Sequence, residues 1–423
     1  MTNAKHLKAR IRARMARTGE RYATARRHEV ADAAPAVSDG GYQLRGGLHP
    51  ETSNIANVAH HHGTELSEAM VLGVGGGLGA GYILWEFTAC DKRALVLGFR
   101  HRWNYLDWTE RTLDRLGLPY RVERTSGAKS AASRLTAALD EGLPAIVVPD
   151  RQLIGYWHMP EYFNGYGGHQ LVVYGQSGGA ARLDDRNLGV LTVEREVLDR
   201  ARARVVSYQN YQVTVTGGGQ PDLARAAAAG IVDCADHLGA RSTSFAIPAW
   251  KKWASVVNDP KAKKGWPAVF ADGRALATAM LSAWDEIEAI GMSGGNLREL
   301  YATFLDEAQP LLGDPALGDA AQRFRAAAAA WHDVAECALP ADVPEYARMR
   351  ELAAGVAAAV SAGDEAAADR TAAAEELWEL QEDYDAYPPA HPDFDELSTR
   401  LSVVYEAERD AVAALAEVAH AHR

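Results

Sequence analysis

The feature that most constrains this chain is a change of hydrophobic rhythm at Gly219. Between Arg93 and Val215 the β-like runs ALVLGF, AIVVP, QLVVYG and VSYQNYQVTV alternate with helical stretches at Ser130–Glu141 and Val193–Arg204. Beyond Gly219 the strand pattern stops. Alanine-rich amphipathic stretches take over at Asp222–Leu238, Ala275–Ile290, Leu297–Leu312, Ala320–Cys337, Glu345–Ala362, Asp364–Glu382 and Phe394–His422. A mixed half followed by a helical half predicts an α+β protein with an all-α C-terminal domain. At 423 residues and 48% hydrophobic content, the chain is long enough for two cores. The expected domains are residues 34–218 and 219–423, preceded by a basic helical arm over residues 1–33.

The charge is distributed unevenly. Residues 1–30 hold nine Lys or Arg against two Glu, whereas residues 331–423 hold six Arg against 21 Asp and Glu, within a net charge of -12. In the arm, Leu7, Ile11 and Met15 form a narrow apolar stripe among cations. Such an arm suits an acidic partner, and the acidic whole argues against nucleic-acid binding. With no apolar run long enough to span a bilayer and no secretory h-region, neither a membrane nor an exported location is expected, and the chain reads as cytoplasmic. Cys90, Cys234 and Cys337 lack pair spacing, so no disulfide framework or cysteine metal site is expected. The last helical stretches are expected to pack within the chain, with a homodimer contact as the alternative, since sustained heptads are not evident.

A linker over 34–48 leads to a helix starting near His49-Pro50-Glu51-Thr52, where Pro50 suits the first helical position. A second short helix from Leu66 precedes the glycine run Gly73–Gly81. That run is not read as a dinucleotide loop, because such a loop follows a strand and opens a helix; glycines allowing close backbone approach explain it better. His60, His61 and His62 do not form a metal site, because successive helical residues point about 100° apart. No cofactor or metal is expected.

GGHQLVVYG at Gly167–Gly175, followed by Leu183-Asp184-Asp185-Arg186, carries more chemistry. In a hairpin, His169 before one strand and Asp185 after the next sit side by side, a base and the carboxylate that orients it. A thiol enzyme would add a cysteine at the start of an early helix, where amides and dipole favour the thiolate; the helix at His49-Pro50 is the one in question.

The stretch GLHPETSNIANVAHHHGTELSEAMVLGVGGGL resembles the opening of the butirosin biosynthesis protein H-like N-terminal domain. VPDRQLIGYWH, GGHQLVVYG and LDDR resemble its later blocks. IGMSGGNLRELYATFLDEAQPLLG at Ile290–Gly313 is similar to its usual helical companion domain, so the resemblance covers residues 45–340. It implies a papain-like, cysteine-protease-like N-terminal domain that transfers an acyl group from a carrier-protein thioester to an amine through a Cys-His-Asp arrangement. His169 and Asp185 match that pattern. Where the family has His-Cys, this chain has His49-Pro50, and proline offers neither nucleophile nor N–H. The resemblance also matches Glu68, read as holding a loop by accepting amides, and Arg298, read as pairing with a helix carboxylate or a substrate phosphate.

With the residues at hand, the resemblance implies an acyltransferase-like or cyclising enzyme of natural-product biosynthesis in which His169 is general base and Asp185 its orienter. His49, Pro50, Glu51, Thr52 and Ser53 at the helix start, with Glu68, Tyr156 and Tyr166, are expected to bind the small-molecule substrate. The basic arm is the expected contact for an acyl carrier protein. Hydrolysis or proton transfer in the same pocket, or a non-catalytic binding scaffold, are the alternatives. Ser53 and Cys90 are the remaining candidate nucleophiles.

Overall fold

Residues 36–37, 41–102, 104–390 and 392–423 are described by the computed structural model; the expected basic arm over 1–33 lies outside them. In chain order come strands β1 (Ala36–Val37) and β2 (Gln43–Leu44), helices α1 (Pro50–His61) and α2 (Glu68–Val74), hairpin strands β3 (Tyr82–Phe87) and β4 (Lys92–Leu97), and α3 (Tyr105–Arg115). Next are β5 (Tyr120–Glu123), α4 (Ala128–Asp140), β6 (Ala145–Val147), β7 (Leu171–Ser177), β8 (Ala180–Asp184), β9 (Leu191–Glu194), α5 (Arg195–Arg204) and β10 (Gln212–Val215). The remainder is helical: α6 (Leu223–Leu238), α7 (Pro248–Val257), α8 (Trp266–Val269), α9 (Leu276–Ile287), α10 (Arg298–Leu312), α11 (Ala316–Ala338), α12 (Pro344–Ala362), α13 (Ala367–Ala386) and α14 (Phe394–Ala421). The change of rhythm at Gly219 thus marks the end of the strands, and the class is α+β with a helical C-terminal region. Among the described residues no helix is long and apolar enough to cross a membrane.

Contacts divide the chain into two compact units. Among the described residues, the first combines those up to Glu68 with 117–220 and 352–376. Its core is an antiparallel six-stranded sheet in the order β5-β10-β6-β7-β8-β9. The central strands β6 and β10 are buried at every position, as expected of strands covered on both faces. α1 packs on β7, α4 on β6 and β7, and α5 on β8 and β9.

The second unit combines residues 69–116, 221–351 and 377–423. α14 packs against α11, α7 and α6, while the β3–β4 hairpin lies on α9. Trp250, Trp253, Trp266, Trp284 and Trp331 are buried. The buried positions of α14 include Leu397, Leu401, Val404, Glu408, Ala411, Leu415 and Val418, alternating steps of four and three. That heptad seam is interrupted in sequence by Glu408, which is why the repeat reads as unsustained. Glu408 faces Arg298: Nε–Oε1 is 2.6 Å and Nη2–Oε2 2.9 Å, and Trp331 Nε1 donates to Oε1 at 2.6 Å. Arg298 therefore pairs with a helix carboxylate, the first of the two readings its sequence context allowed, in the bidentate geometry that stabilises buried pairs.

The glycine run follows helix α2, not a strand. A Cβ at Gly73 would fall 2.2 Å from the Phe304 ring and one at Gly75 2.3 Å from Trp108. Close packing accounts for both.

Candidate active site

The geometry of the site starts at a two-residue turn. Ser177 pairs with Ala180, and the intervening Gly178 and Gly179 have φ of 59° and 84°, the left-handed pair that a tight hairpin requires. The turn sets the register as far as Gly175 opposite Arg182, and a one-residue shift between Val173 and Gly175 then brings Val172 to face Asp184. His169, two residues before β7, and Asp185, one after β8, consequently meet: Nε2 lies 2.8 Å from Oδ2. The main chain at His169 is anchored by its backbone N–H donating to Pro149 O at 2.8 Å. The loop before it is organised by buried Asp150, whose carboxylate accepts from the amides of Gln152, Leu153 and Gly165 at 3.1, 2.8 and 2.8 Å.

Asp185 is crowded with donors. Tyr156 Oη donates to Oδ2 at 2.8 Å, Trp157 Nε1 to the same oxygen at 2.9 Å, and Arg186 Nε to Oδ1 at 3.1 Å. The His169 contact is close in distance but out of line for a ring N–H···O hydrogen bond, since Nε2 meets no acceptor within that geometry. Burial alone would raise the Asp185 pKa, but the charges of His169 and Arg186 and the surrounding donors outweigh it and hold the carboxyl well below its usual range. A permanently ionised, buried carboxylate is what keeps an adjacent imidazole oriented and able to accept charge.

Its neighbour Asp184 behaves oppositely. Burial pushes it up to about 6, against hydrogen bonds from Tyr42 and Asn57 that favour the anion. Tyr42 Oη donates to Oδ2 at 2.7 Å, Asn57 Nδ2 to Oδ2 at 3.0 Å and Arg186 N–H to Oδ1 at 3.0 Å. Arg186, at φ 59°, is in the left-handed region, and Asn187 closes the turn by accepting from Asp185 N–H at 2.6 Å and donating to Gly189 O at 2.7 Å.

Arg186 also ties this turn to the start of α1, donating from Nη1 to Leu48 O at 3.0 Å. Glu68 accepts Leu48 N–H with both oxygens, at 2.9 and 3.0 Å, the loop-holding role its sequence context suggested. Between them Gly47 has no room for a Cβ, which would stand 2.5 Å from Ser53 Cβ and 2.7 Å from Glu68 Oε1. Pro50 is the first residue of α1 and His49 its N-cap, without a side-chain cap bond. His49 Nε2 lies 2.9 Å from Glu51 Oε2, and its Nδ1 3.2 Å from Thr52 Oγ1. Ser53 is buried and its hydroxyl donates to Pro50 O at 3.1 Å.

The structure thus brings His169, Asp185 and Tyr156 into one cluster. Ser53 and Glu68 meet at Gly47, and Arg186 links that group to the cluster. Tyr166 stands apart on the loop, 52% exposed. Cys90 is exposed in the other unit, its thiol directed to Phe87 O. His60, His61 and His62 diverge, His60 toward Glu65 and Gln43 and His61 toward Gly142 O. Sequence reasoning placed Trp157 with Tyr156, Tyr162 and Tyr166 on a loop that could line the pocket, but gave Arg186 and Asp184 no role. The acid-acid-arginine run closing a buried strand was the available sign. It also missed that the turn is held by distant residues: Leu188 and Gly189 N–H donate to Ser361 O at 2.7 and 3.2 Å, and Asp364 N–H to Val190 O at 2.7 Å.

Residues 49–186 match the family model described as butirosin biosynthesis protein H, N-terminal, and residues 197–370 match a domain of unknown function, DUF4872. A search of curated proteins gives no match. The first span runs from the cap of α1 to Arg186, enclosing both halves of the site.

Proposed function

From its membership of the butirosin biosynthesis protein H-like family, we propose that the chain is an acyltransferase-like enzyme of natural-product biosynthesis that works without a covalent acyl-enzyme. The observation that carries this reading is the buried His169–Asp185 pair at 2.8 Å. His169 Nε2 is turned to the carboxylate, so Nδ1 is the atom that takes a proton. In the proposed reaction an amine attacks the carbonyl of a bound thioester as His169 Nδ1 removes its proton. The tetrahedral oxyanion collapses, the C–S bond breaks, and the thiolate leaves and is protonated. A cyclisation follows the same course when amine and thioester belong to one molecule.

The N-terminus of α1, where the helix dipole and the first-turn amides favour negative charge, suits the oxyanion. Pro50 supplies neither thiol nor amide there, and the Ser53 hydroxyl is committed to Pro50 O. Both facts favour direct attack. Tyr156 and Trp157, through Asp185, serve as positioning residues. A papain-like arrangement of this unit, and docking of an acyl carrier protein through the basic arm, belong to the same proposal. One observation favours a second reading, a binding scaffold: His169 is only 5% exposed.

Intact-protein mass spectrometry with a panel of carrier-protein thioesters and amines tests the choice. The expected result is product without an enzyme adduct, with the rate falling about 10²–10⁴-fold in His169→Ala. An adduct mapping to Ser53 or Cys90 overturns direct attack. Thioester binding with no product across the panel selects the scaffold.

A further inference from the structure

A second site lies wholly within the helical unit, where the glycine run finds a use that close packing alone does not cover. Beyond the β3–β4 ladder the two strands continue as an irregular ribbon: Gly98 N–H donates to Gly81 O at 2.9 Å, Gly79 N–H to Phe99 O at 2.8 Å, and Leu78 bridges Arg100. A Cβ at Gly79 would stand 2.2 Å from Arg100 O. At this end of the ribbon is a cavity of about 250 Å³, with Gly81 and Gly98 in its wall beside Arg100, Arg102, His237 and Phe245.

The wall carries two guanidiniums and an imidazole and no carboxylate. Arg100 is held in place, its Cζ 4.7 Å over the Trp108 ring and Nη1 donating to His101 O at 3.0 Å. Arg102 is exposed and adopts φ 62°, a left-handed conformation that costs energy for any residue with a side chain and clusters at functional sites. Behind the wall, His101 is buried with its ring 4.6 Å from that of His237. Burial first, then His237, Arg102, Arg111 and Arg100, depress His101 to about 2. Asp233 is engaged by Arg111 and Arg115. Positive potential is therefore concentrated here in a chain of net charge -12, and Phe245, 43% exposed, adds an apolar surface. The volume is below the roughly 300–1,000 Å³ of drug-sized sites, which restricts the ligand to a small one.

We propose that this cavity binds a small organic anion, its charged group between Arg100 and Arg102 and its apolar body against Phe245. A guanidinium is suited to either a carboxylate or a phosphate, so the shared chemistry is an anionic head on a compact apolar body.

Isothermal titration of the full chain with benzoate, phenyl phosphate, inorganic phosphate and the neutral isostere benzamide tests the proposal. At least one of the two aromatic anions is expected to bind with a Kd of about 1 mM or tighter, and benzamide not to bind. Arg102→Gln should weaken that anion about 10–100-fold, and Phe245→Ser should weaken the aromatic anion while leaving inorganic phosphate unchanged. Binding of benzamide equal to benzoate, binding that survives both substitutions, or no binding of either aromatic anion up to about 10 mM overturns it.

Discussion

Two adjacent carboxylates at the end of β8 are driven in opposite directions by their surroundings, and each leaves a distinct mark on stability. Asp185 is held ionised by His169, Arg186 and the neighbouring donors. Its folded pKa lies below the unfolded one, so its contribution is present above about pH 4 and is lost as pH falls toward the folded value. Asp185→Asn leaves Arg186 without its counter-charge and is expected to cost about 3–5 kcal/mol in urea unfolding at neutral pH. An unchanged midpoint would refute the carboxylate's structural role. Asp184, pushed up to about 6, has the reverse sign: between its ordinary value and 6 the folded state keeps a proton that the unfolded chain sheds. It therefore removes up to about 3 kcal/mol as pH rises from 4 to 6, with no further change above. The unfolding free energy of Asp184→Asn minus that of the wild type is expected to climb across that window; a flat difference would mean that Asp184 is ionised throughout.

At the scale of elements, the turn after β8 is shaped as much by α12 as by its own hairpin. A Cβ on Gly189 would lie 2.0 Å from Ala362 O, a backbone atom with no rotamer to yield. Gly189→Ala is expected to destabilise the protein by about 1–3 kcal/mol and to reduce the proposed acyl transfer with it, measured by denaturant unfolding and by product formation. Wild-type stability would show that the turn can move off α12. Which elements the sequence disclosed follows from the same distinction between local and distant partners. The His169–Asp185 pairing was legible because a Gly-Gly turn makes the hairpin local, although the one-residue shift between Val173 and Gly175 that completes its register was not. The glycine run, the helix at Pro50 and most helices beyond Leu223 were legible from caps and periodicity. β3, β5 and α7 were not: YILWEF is apolar except for Glu86 and shows no alternation that periodicity can assign, and YRVE is a strand only because β10 pairs with it. The α14 heptad was hidden by Glu408, an acid whose partner Arg298 is 110 residues away. Ser361, Asp364 and Asp150 entered the site unannounced, since nothing near them in sequence names what they hold.

For the whole molecule, the consequence is that neither unit is a continuous stretch of chain. The change of rhythm at Gly219 separates strand from helix, yet residues 69–116 group with the helical unit and 352–376 with the sheet. Cutting at 220 therefore removes from the first unit the acceptor Ser361 O for Leu188 and Gly189 and the Asp364 carboxylate that takes Thr192 N–H at 3.1 Å and Oγ1 at 2.7 Å. It also strands α3, whose Arg111 and Arg115 pair with Asp233, and the face of α2 at Gly73, which packs on Phe304. A domain that folds alone should unfold cooperatively. Fragment 1–220 is accordingly expected to lack the cooperative thermal transition of the full chain, with circular dichroism reporting a gradual loss of structure and the His169 chemistry abolished. A sharp transition at the full-chain midpoint in that fragment would show that the sheet unit needs neither the 352–376 segment nor the partners of α2 and α3, and that the boundary at Gly219 is a folding boundary after all.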